Sequence, residues 1–317
     1  MTLSAQKTSK DDAQEPRAIV GGTQPPSRAV SRRWRQRSRP PGHQRRRRRS
    51  LLVDAAAIWL LLIVLAAVFA DLLPIPAYDH RIGRPAEGPA LSVARLVGTD
   101  SLGRSNLSRL IYGARVSLAV GFVSVLIGMV IGGLLGLLAG YYRGPFEKIV
   151  SIVTDSVLAF PPLVLLLAIT STMGASLPSL VVSLGLLCVP TFTRLSRANT
   201  LTFAQREFVI ASRALGARSW RVVFREVLPN VVMPVASYAF VVAAVVIVAE
   251  GSLSFLGLGI PPPSPSWGGM IAAAKDRLDT DPQMVFMPAA AMFLTIFSLN
   301  VLGDHARTRF DVRESAL

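Results

Sequence analysis

The ionisable side chains of this chain do not form a recognisable catalytic set. A phosphate-binding loop needs a glycine-rich turn ending in Gly-Lys-Ser/Thr, and no lysine stands in that context. The lysines are Lys7, Lys10, Lys148 and Lys275, the histidines are His43, His80 and His305, and the one cysteine is Cys188. The histidines are far apart, and the cysteine lies alone in an apolar run, so no disulfide, metal site or nucleophile is indicated. We therefore expect no catalytic residue, no metal site and no enzymatic activity from this polypeptide alone.

Two acids stand inside or beside long apolar segments, where a charge is costly and by default functional. Asp155 precedes Phe160-Pro161-Pro162, where a helix should kink, and Glu250 ends an apolar run next to Gly251. Either carboxylate could line a translocation pathway and meet the amino terminus of a peptide. Either could equally be hydrogen-bonded to backbone at a helix break, and the sequence leaves both interpretations open.

An arginine-rich segment, residues 206–230, separates two apolar segments. The spacing predicts a short helix over 206–215, and one face of it is formed by Phe208, Ala211, Ser212 and Leu215. Gly216 is a helix stop signal, and Pro229 marks the return to an apolar helix. Such a helix could dock into a groove of a partner protein, with Arg206, Arg213 and Arg218 around the contact, or lie on the membrane surface as an ordinary amphipathic helix.

This segment resembles the EAA loop of permease subunits in bacterial ABC importers. The family pattern is Glu-Ala-Ala, three residues, Gly, nine residues, then Ile-x-Leu-Pro, and its Gly and Leu-Pro fall on Gly216, Leu228 and Pro229. The chain departs from the pattern at the positions held by Ile210, Ser212 and Glu226.

Further motifs resemble the C-type permease of the dipeptide, oligopeptide and nickel importers. They are Gly98-Thr-Asp-Ser-Leu-Gly-Arg104, residues 107–118, Glu250-Gly-Ser-Leu-Ser-Phe-Leu-Gly-Leu-Gly-Ile-Pro-Pro-Pro263, Pro265-Ser-Trp-Gly-Gly269 and Leu299-Asn-Val-Leu-Gly-Asp304. The chain departs from that group at Leu96-Val97, where His-Pro is usual, and at Ser105, where Asp is usual. The resemblance covers about residues 51–310.

The resemblance implies partners: a second permease in a heterodimer, two ABC ATPase subunits that use ATP and Mg²⁺, and an extracytoplasmic substrate-binding protein. It also implies alternating access and a peptide cargo, with coupling to the ATPases through the arginine-rich segment. The residues implied in ATPase coupling are Arg206, Phe208, Ala211, Ser212, Arg213, Leu215, Gly216, Arg218, Leu228 and Pro229. The cargo itself stays open among dipeptides, oligopeptides, glutathione, haem and nickel complexes.

About half of the residues are hydrophobic, and the apolar segments are long enough to cross a bilayer. We predict an all-α polytopic membrane protein of the ABC importer permease type. Its six predicted transmembrane helices are 51–70, 116–140, 149–171, 177–194, 231–255 and 284–303, with a coupling loop over 195–230. The uncharged run 156–193 is divided in two because a single helix of that length would be about 57 Å long, nearly twice the hydrocarbon thickness.

The net charge is +15, and most of it lies in residues 1–50, which hold fourteen Lys and Arg against three acids. The run Arg45–Arg49 directly precedes the first span, which predicts cytoplasmic N- and C-termini in the bacterial inner membrane. Residues 71–115 oppose this orientation with six arginines against four acids. We expect residues 1–50 to be a disordered tail that touches anionic lipid rather than nucleic acid, and residues 311–317 to be a short C-terminal tail.

Gly128, Gly132, Gly136 and Gly140 recur at every fourth position of the second span, a pattern that lets helix backbones approach closely in lipid. The stripe could face a partner permease or a neighbouring helix of the same chain, and the second use is the commoner one. The segments 71–114 and 259–283 are expected to form the outer docking face, with Pro261–Pro263 extended and a short helix near Ile271–Leu278.

Two other functions fit parts of the sequence. An ion-coupled secondary transporter would also have several kinked spans, but it would be expected to show internal repeats and a midplane ion site. A membrane anchor with a basic tail would depend on residues 1–50 alone.

Overall fold

The computed structural model describes the backbone of residues 42–314 and the side chains of residues 51–309. Within these bounds the chain is helical, without a strand; two isolated bridges, Arg81 with Arg104 and Thr99 with Ser105, join parts of the outer segment. The helices are α1 (Gly42–Val68), α2 (Asn106–Tyr142), α3 (Gly144–Ala159), α4 (Pro162–Met173), α5 (Leu177–Phe203), α6 (Glu207–Ala214), α7 (Ser219–Arg221), α8 (Leu228–Phe255), α9 (Trp267–Ala274) and α10 (Gln283–Glu314).

Five of these helices are long and apolar enough to cross a membrane: α1, α2, α5, α8 and α10. A sixth span results if α3 and α4 are taken as one, although they meet at 91°. The break falls at the predicted kink because Phe160 and Pro161 both have extended ψ angles, 138° and 123°, and a residue before proline avoids the helical region.

Several helices extend beyond the predicted spans. α5 continues to Phe203, into the segment predicted as coupling loop, because it has no glycine or proline there and because Ser196 Oγ donates to the carbonyl oxygen of Gly133 on α2. α1 begins at Gly42, inside the predicted tail, and α10 runs on to Glu314, inside the predicted C-terminal tail. The rest of the predicted tail, residues 1–41, lies outside the described residues.

The glycine stripe lies against α5 of the same chain. A Cβ atom added at Gly128 would overlap Cys188, and one added at Gly132 or Gly136 would overlap a backbone carbonyl oxygen of α5. At Gly140 the added atom would lie 2.9 Å from Thr200 Cβ. The two backbones therefore touch along much of their length, and this helix pair forms the centre of the membrane domain.

The outer segment between α1 and α2 is held by ion pairs. The Asp71 carboxylate accepts hydrogen bonds from the Tyr112 hydroxyl at 2.8 Å and from Arg115 at 2.9 Å, and these bonds hold the pKa of Asp71 below its ordinary value. Asp100 pairs with Arg104 at 2.7 Å and with Arg109 at 3.4 Å. These contacts fix the outer segment on the end of α2.

The second outer segment, between α8 and α10, contacts the same end of α2. Arg109 donates to the Pro263 carbonyl oxygen at 3.4 Å, and the indole Nε1 of Trp267 donates to the Leu110 carbonyl oxygen at 3.0 Å. The short helix of this segment begins at Trp267, earlier than the predicted Ile271, because Ser266 caps it by accepting the Gly269 N–H at 3.0 Å. The two outer segments thus meet on one helix end.

Candidate functional site

The predicted coupling helix is α6, a short helix with a defined start and end. Arg206 precedes it in an extended conformation, and Gly216 follows it with φ of +79°, which glycine adopts without strain. The Gly216 N–H donates to the Arg213 carbonyl oxygen at 2.9 Å, and the Ala217 N–H donates to that of Ser212 at 3.1 Å. This pair of bonds is the Schellman arrangement, so the helix ends where the sequence predicts.

The two faces of α6 differ sharply in burial. Val209 is fully buried, at 0% exposure, and anchors the helix to the core. On the outside, Leu215 is 89% exposed, and Phe208 and Ile210 are also exposed. Of the remaining residues on the predicted face, Ala211 is exposed and Ser212 is half-buried.

Two exposed aromatic side chains follow α6 in the chain, beyond Gly216. Trp220 on α7 and Phe224 in the following turn are both exposed. Together with Phe208, Ile210 and Leu215 they form what we call the elbow patch. Exposed large apolar side chains grouped in one short stretch of chain are typical of interaction sites.

The arginines around the elbow patch have different surroundings. Arg206 and Arg218 precede α6 and α7, respectively, in extended conformations. The Arg213 guanidinium instead lies 4.8 Å from the centre of the Tyr141 ring, at the end of α2. Arg213 thus contacts its own subunit through Tyr141 while remaining exposed beside α6.

The base of the elbow is a π-helical segment, Val222–Val227, that leads directly into α8. Val222, Val223 and Val227 are fully buried, and Leu228 is half-buried. Pro229 occupies the first turn of α8, where its missing N–H is tolerated. The elbow patch therefore rests on a packed base, and the Leu228-Pro229 pair of the predicted motif lies at the junction with the membrane helix.

The two acids proposed for a pathway lie in different places. The Asp155 carboxylate pairs with Arg194 Nη2 at 2.6 Å, and both side chains are more than half exposed. Glu250 is fully buried at the end of α8 and accepts hydrogen bonds from Ser117 Oγ at 3.1 Å and from Ser254 Oγ at 2.8 Å. Ser117 Oγ in turn accepts the backbone N–H of Trp267 at 3.2 Å, so Glu250 joins α2, α8 and the outer helix α9.

Sequence reasoning missed two residues that the structure places at the candidate sites. Tyr141 supports Arg213, and Arg194 pairs with Asp155. The only signal for Arg194 in the sequence is its position as a basic residue at the end of an apolar run. The same position is typical of a residue that merely flanks a membrane span. Within the described residues, no group of three or more His, Cys, Asp or Glu residues could hold a metal ion.

The known proteins that are similar to this chain in sequence are transport system permeases. The family of binding-protein-dependent transport system inner membrane components matches residues 132–313. The chain is 41% identical over 225 residues to the glutathione transport system permease protein GsiD of Pectobacterium atrosepticum, covering 71% of this chain and 74% of that protein. It is 34% identical over 248 residues to the dipeptide transport system permease protein DppC of Alkalihalophilus pseudofirmus, covering 78% and 81% respectively. It is 39% identical over 216 residues to the di/tripeptide transport system permease protein DppC of Pseudomonas aeruginosa, covering 68% and 71%.

Among solved structures, the fold is similar to a chain of the MetNI methionine ABC transporter in an inward-facing conformation. The TM-score is 0.53 at 19% sequence identity, over 64% of this chain and 96% of that chain. At this identity the likeness concerns the fold.

The family match and the apolar helices define a multi-pass permease of the inner membrane. The chain belongs to the binding-protein-dependent transport system inner membrane components, and it is a permease subunit of an ABC importer. Proteins of this family operate with ATPase and substrate-binding protein partners.

Proposed function

We propose that this chain is one of two different permease subunits of an importer that moves dipeptides or short oligopeptides into the cell. The observation that supports the cargo is the shared chemistry of the relatives, which are named for glutathione, dipeptides and di/tripeptides. All of these are short peptides with charged termini. The chain itself hydrolyses no ATP, and ATP with Mg²⁺ binds to the partner subunits.

The elbow patch is the contact for an ATPase subunit in this proposal. Its apolar residues are exposed, while Val209 and the π-helical base hold it firmly to α8. Because the residues beneath the patch are tightly packed, a displacement of the patch is transmitted to α8. The N- and C-termini and the elbow lie on the cytoplasmic side, as the basic run Arg45–Arg49 favours.

The opposite end of the molecule receives the substrate-binding protein. The outer segments 71–105 and 259–282 meet on the end of α2, where Asp100, Arg104 and Arg109 form an ion-paired cluster. Force that enters at the elbow reaches this end through α2 and α8, which both run the length of the membrane domain. Alternating access then follows from movement of one permease against the other.

The proposal is tested with the complete importer, co-expressed from its neighbouring genes and reconstituted in vesicles. Uptake of radiolabelled dialanine should require ATP and the binding protein, and it should persist when ionophores collapse all ion gradients. Uptake that follows an ion gradient without ATP would instead identify a secondary transporter. ATP hydrolysis by the purified single subunit would contradict the division of labour proposed here.

A further inference from the structure

An ion pair, Asp155 with Arg194, lies near the corner between α3 and α4. Its depth in the membrane is one at which lipid would surround an isolated transmembrane helix. Asp155 lies about 16 Å along α3 from Gly144, and Arg194 lies about 14 Å along α5 from Phe203, at 1.5 Å per residue. α5 is 27 residues, about 40 Å, long, so about 10 Å of it exceeds a 30 Å hydrocarbon layer. The pair therefore lies within the hydrocarbon layer or at its edge.

The hydrogen bonding of this pair is incomplete within the described residues. Arg194 Nη2 donates to Asp155 Oδ1 at 2.6 Å, and no other described residue accepts from the guanidinium. A guanidinium carries five N–H donors and a carboxylate can accept about four hydrogen bonds, so most of this capacity is unused. The two side chains are 58% and 61% exposed. Lipid would leave this capacity unsatisfied, whereas water in a cavity would satisfy it.

The backbone at the corner between α3 and α4 also needs polar surroundings. The chain leaves the helical conformation at Phe160 and Pro161 and turns by 91° into α4. Residues 158–164 are all exposed in this subunit. Irregular backbone at membrane depth occurs only where it is covered by protein or lines a water-filled cavity. The exposed ion pair and the exposed break lie within two turns of each other, so a single water-filled cavity would satisfy both.

We infer that the α3–α4 corner lines the aqueous cargo pathway, and that Asp155 and Arg194 form a transit contact for the two charged ends of a short peptide. This inference rests on the proposed import function. The pair offers one charge of each sign and no net charge, which matches a zwitterion with an ammonium group at one end and a carboxylate at the other. The buried Glu250 has no such exposure and belongs to the packing of α9.

A charge-selectivity experiment separates this role from a merely structural ion pair. In the complete importer, Asp155→Asn leaves the positive Arg194 alone on the pathway, and Arg194→Gln leaves the negative Asp155. Asp155→Asn should lower the uptake rate of Ala-Lys relative to Ala-Asp by about fivefold, and Arg194→Gln should shift that ratio by about fivefold in the opposite direction. This is the size of one interaction between unit charges about 4 Å apart in water. Effects of the binding protein cancel, because only the permease is changed.

The matched control is Arg197→Gln, one turn further along α5. Arg197 pairs with Glu147 of α3 and is less exposed than Arg194, so its loss should lower the uptake of both peptides equally. An equal loss in Asp155→Asn and Arg194→Gln would overturn the inference and leave a structural ion pair. Failure of the wild-type importer to take up any dipeptide with ATP would instead contradict the proposed function itself.

If the charge variants fail to assemble, thiol accessibility decides the question. Ala159→Cys lies on the Asp155 side of α3, and Val153→Cys lies on the far side of the same helix; both positions are exposed in the subunit. The native Cys188 is buried and can be kept. A membrane-impermeant cationic thiosulfonate should modify Ala159→Cys at least about tenfold faster than Val153→Cys in one nucleotide state of the importer. Slow modification of Ala159→Cys in every nucleotide state would overturn the inference.

Discussion

The Arg213 guanidinium lies 4.8 Å above the Tyr141 ring and thereby connects the elbow helix to the end of α2. Tyr141 also stands edge-on to Tyr142, with ring centres 5.2 Å apart. Besides the buried Val209, the elbow consequently has two attachments to the membrane domain. One runs through the π-helical base into α8, and the other passes through this cation–π contact into α2.

Loss of the second attachment should loosen coupling without preventing ATP hydrolysis. Tyr141→Leu removes the ring, and a cation–π contact at an exposed site contributes about 0.5–1 kcal/mol, a factor of about two to five. We expect the number of ATP molecules hydrolysed per peptide imported to rise by that factor. Tyr141→Phe keeps the ring and is the control, and it should transport as the wild type does. A ratio unchanged in Tyr141→Leu would show that the elbow is coupled through α8 alone.

Gly216→Ala should weaken the end of the elbow helix through the backbone alone. The glycine has φ of +79°, and nothing lies within 4 Å of the position that a Cβ would take. The left-handed conformation costs a non-glycine residue about 1–2 kcal/mol. Import should fall several-fold while membrane insertion, measured by fractionation, stays normal. Gly133→Ala, which also has open space but no positive φ, should have no effect. Equal import by the two variants would exclude a backbone role for Gly216.

Gly132→Leu should damage the packing of α2 on α5, whereas Gly133→Leu should not. A Cβ at Gly132 would meet the Val189 carbonyl oxygen, but a Cβ at the neighbouring Gly133 would meet nothing within 4 Å. Overpacking of this kind costs about 1–3 kcal/mol when the backbones can separate, and more when they cannot. The melting temperature of the purified importer, followed by size-exclusion chromatography, should drop only for Gly132→Leu. Similar melting temperatures for both variants would mean that the two helices can separate freely.

Glu250→Gln should reduce import of all peptides equally. The carboxylate is fully buried between Ser117 and Ser254 and cannot meet cargo in this arrangement. Glu250→Ala should be worse, because it leaves two buried hydroxyls without an acceptor at about 1–3 kcal/mol each. Uptake of Ala-Lys and Ala-Asp measures the effect. A change in their ratio in Glu250→Gln would place this carboxylate on the pathway after all.

Much of the architecture could be predicted because it depends on local sequence. Apolar length gave the spans, Gly216 gave the end of the elbow helix, and the four-residue glycine spacing indicated a close helix contact. These features follow from the preferences of a few neighbouring residues. Proline gave the position of the α3–α4 break but not its angle, since the angle depends on packing against the rest of the molecule.

The remaining features depend on contacts between distant segments. The contact between Arg213 and the Tyr141 ring could not be predicted, because the two residues are far apart in sequence. Likewise, Asp155 and Arg194 come from different helices, and no single-sequence pattern joins them. The burial of Glu250 depends on α9, whose return to α2 could not be read from its composition.

The glycine stripe has a mechanical consequence. At the stripe glycines the backbone of α2 lies directly against carbonyl oxygens of α5, so sliding one helix along the other would produce steric clashes. The two helices therefore have to move together as one rigid body. Any movement of helices that the nucleotide cycle produces must therefore occur at helix contacts that are less tightly packed. In this subunit the bent joint between α3 and α4 has little packing around it, since residues 158–164 are all exposed.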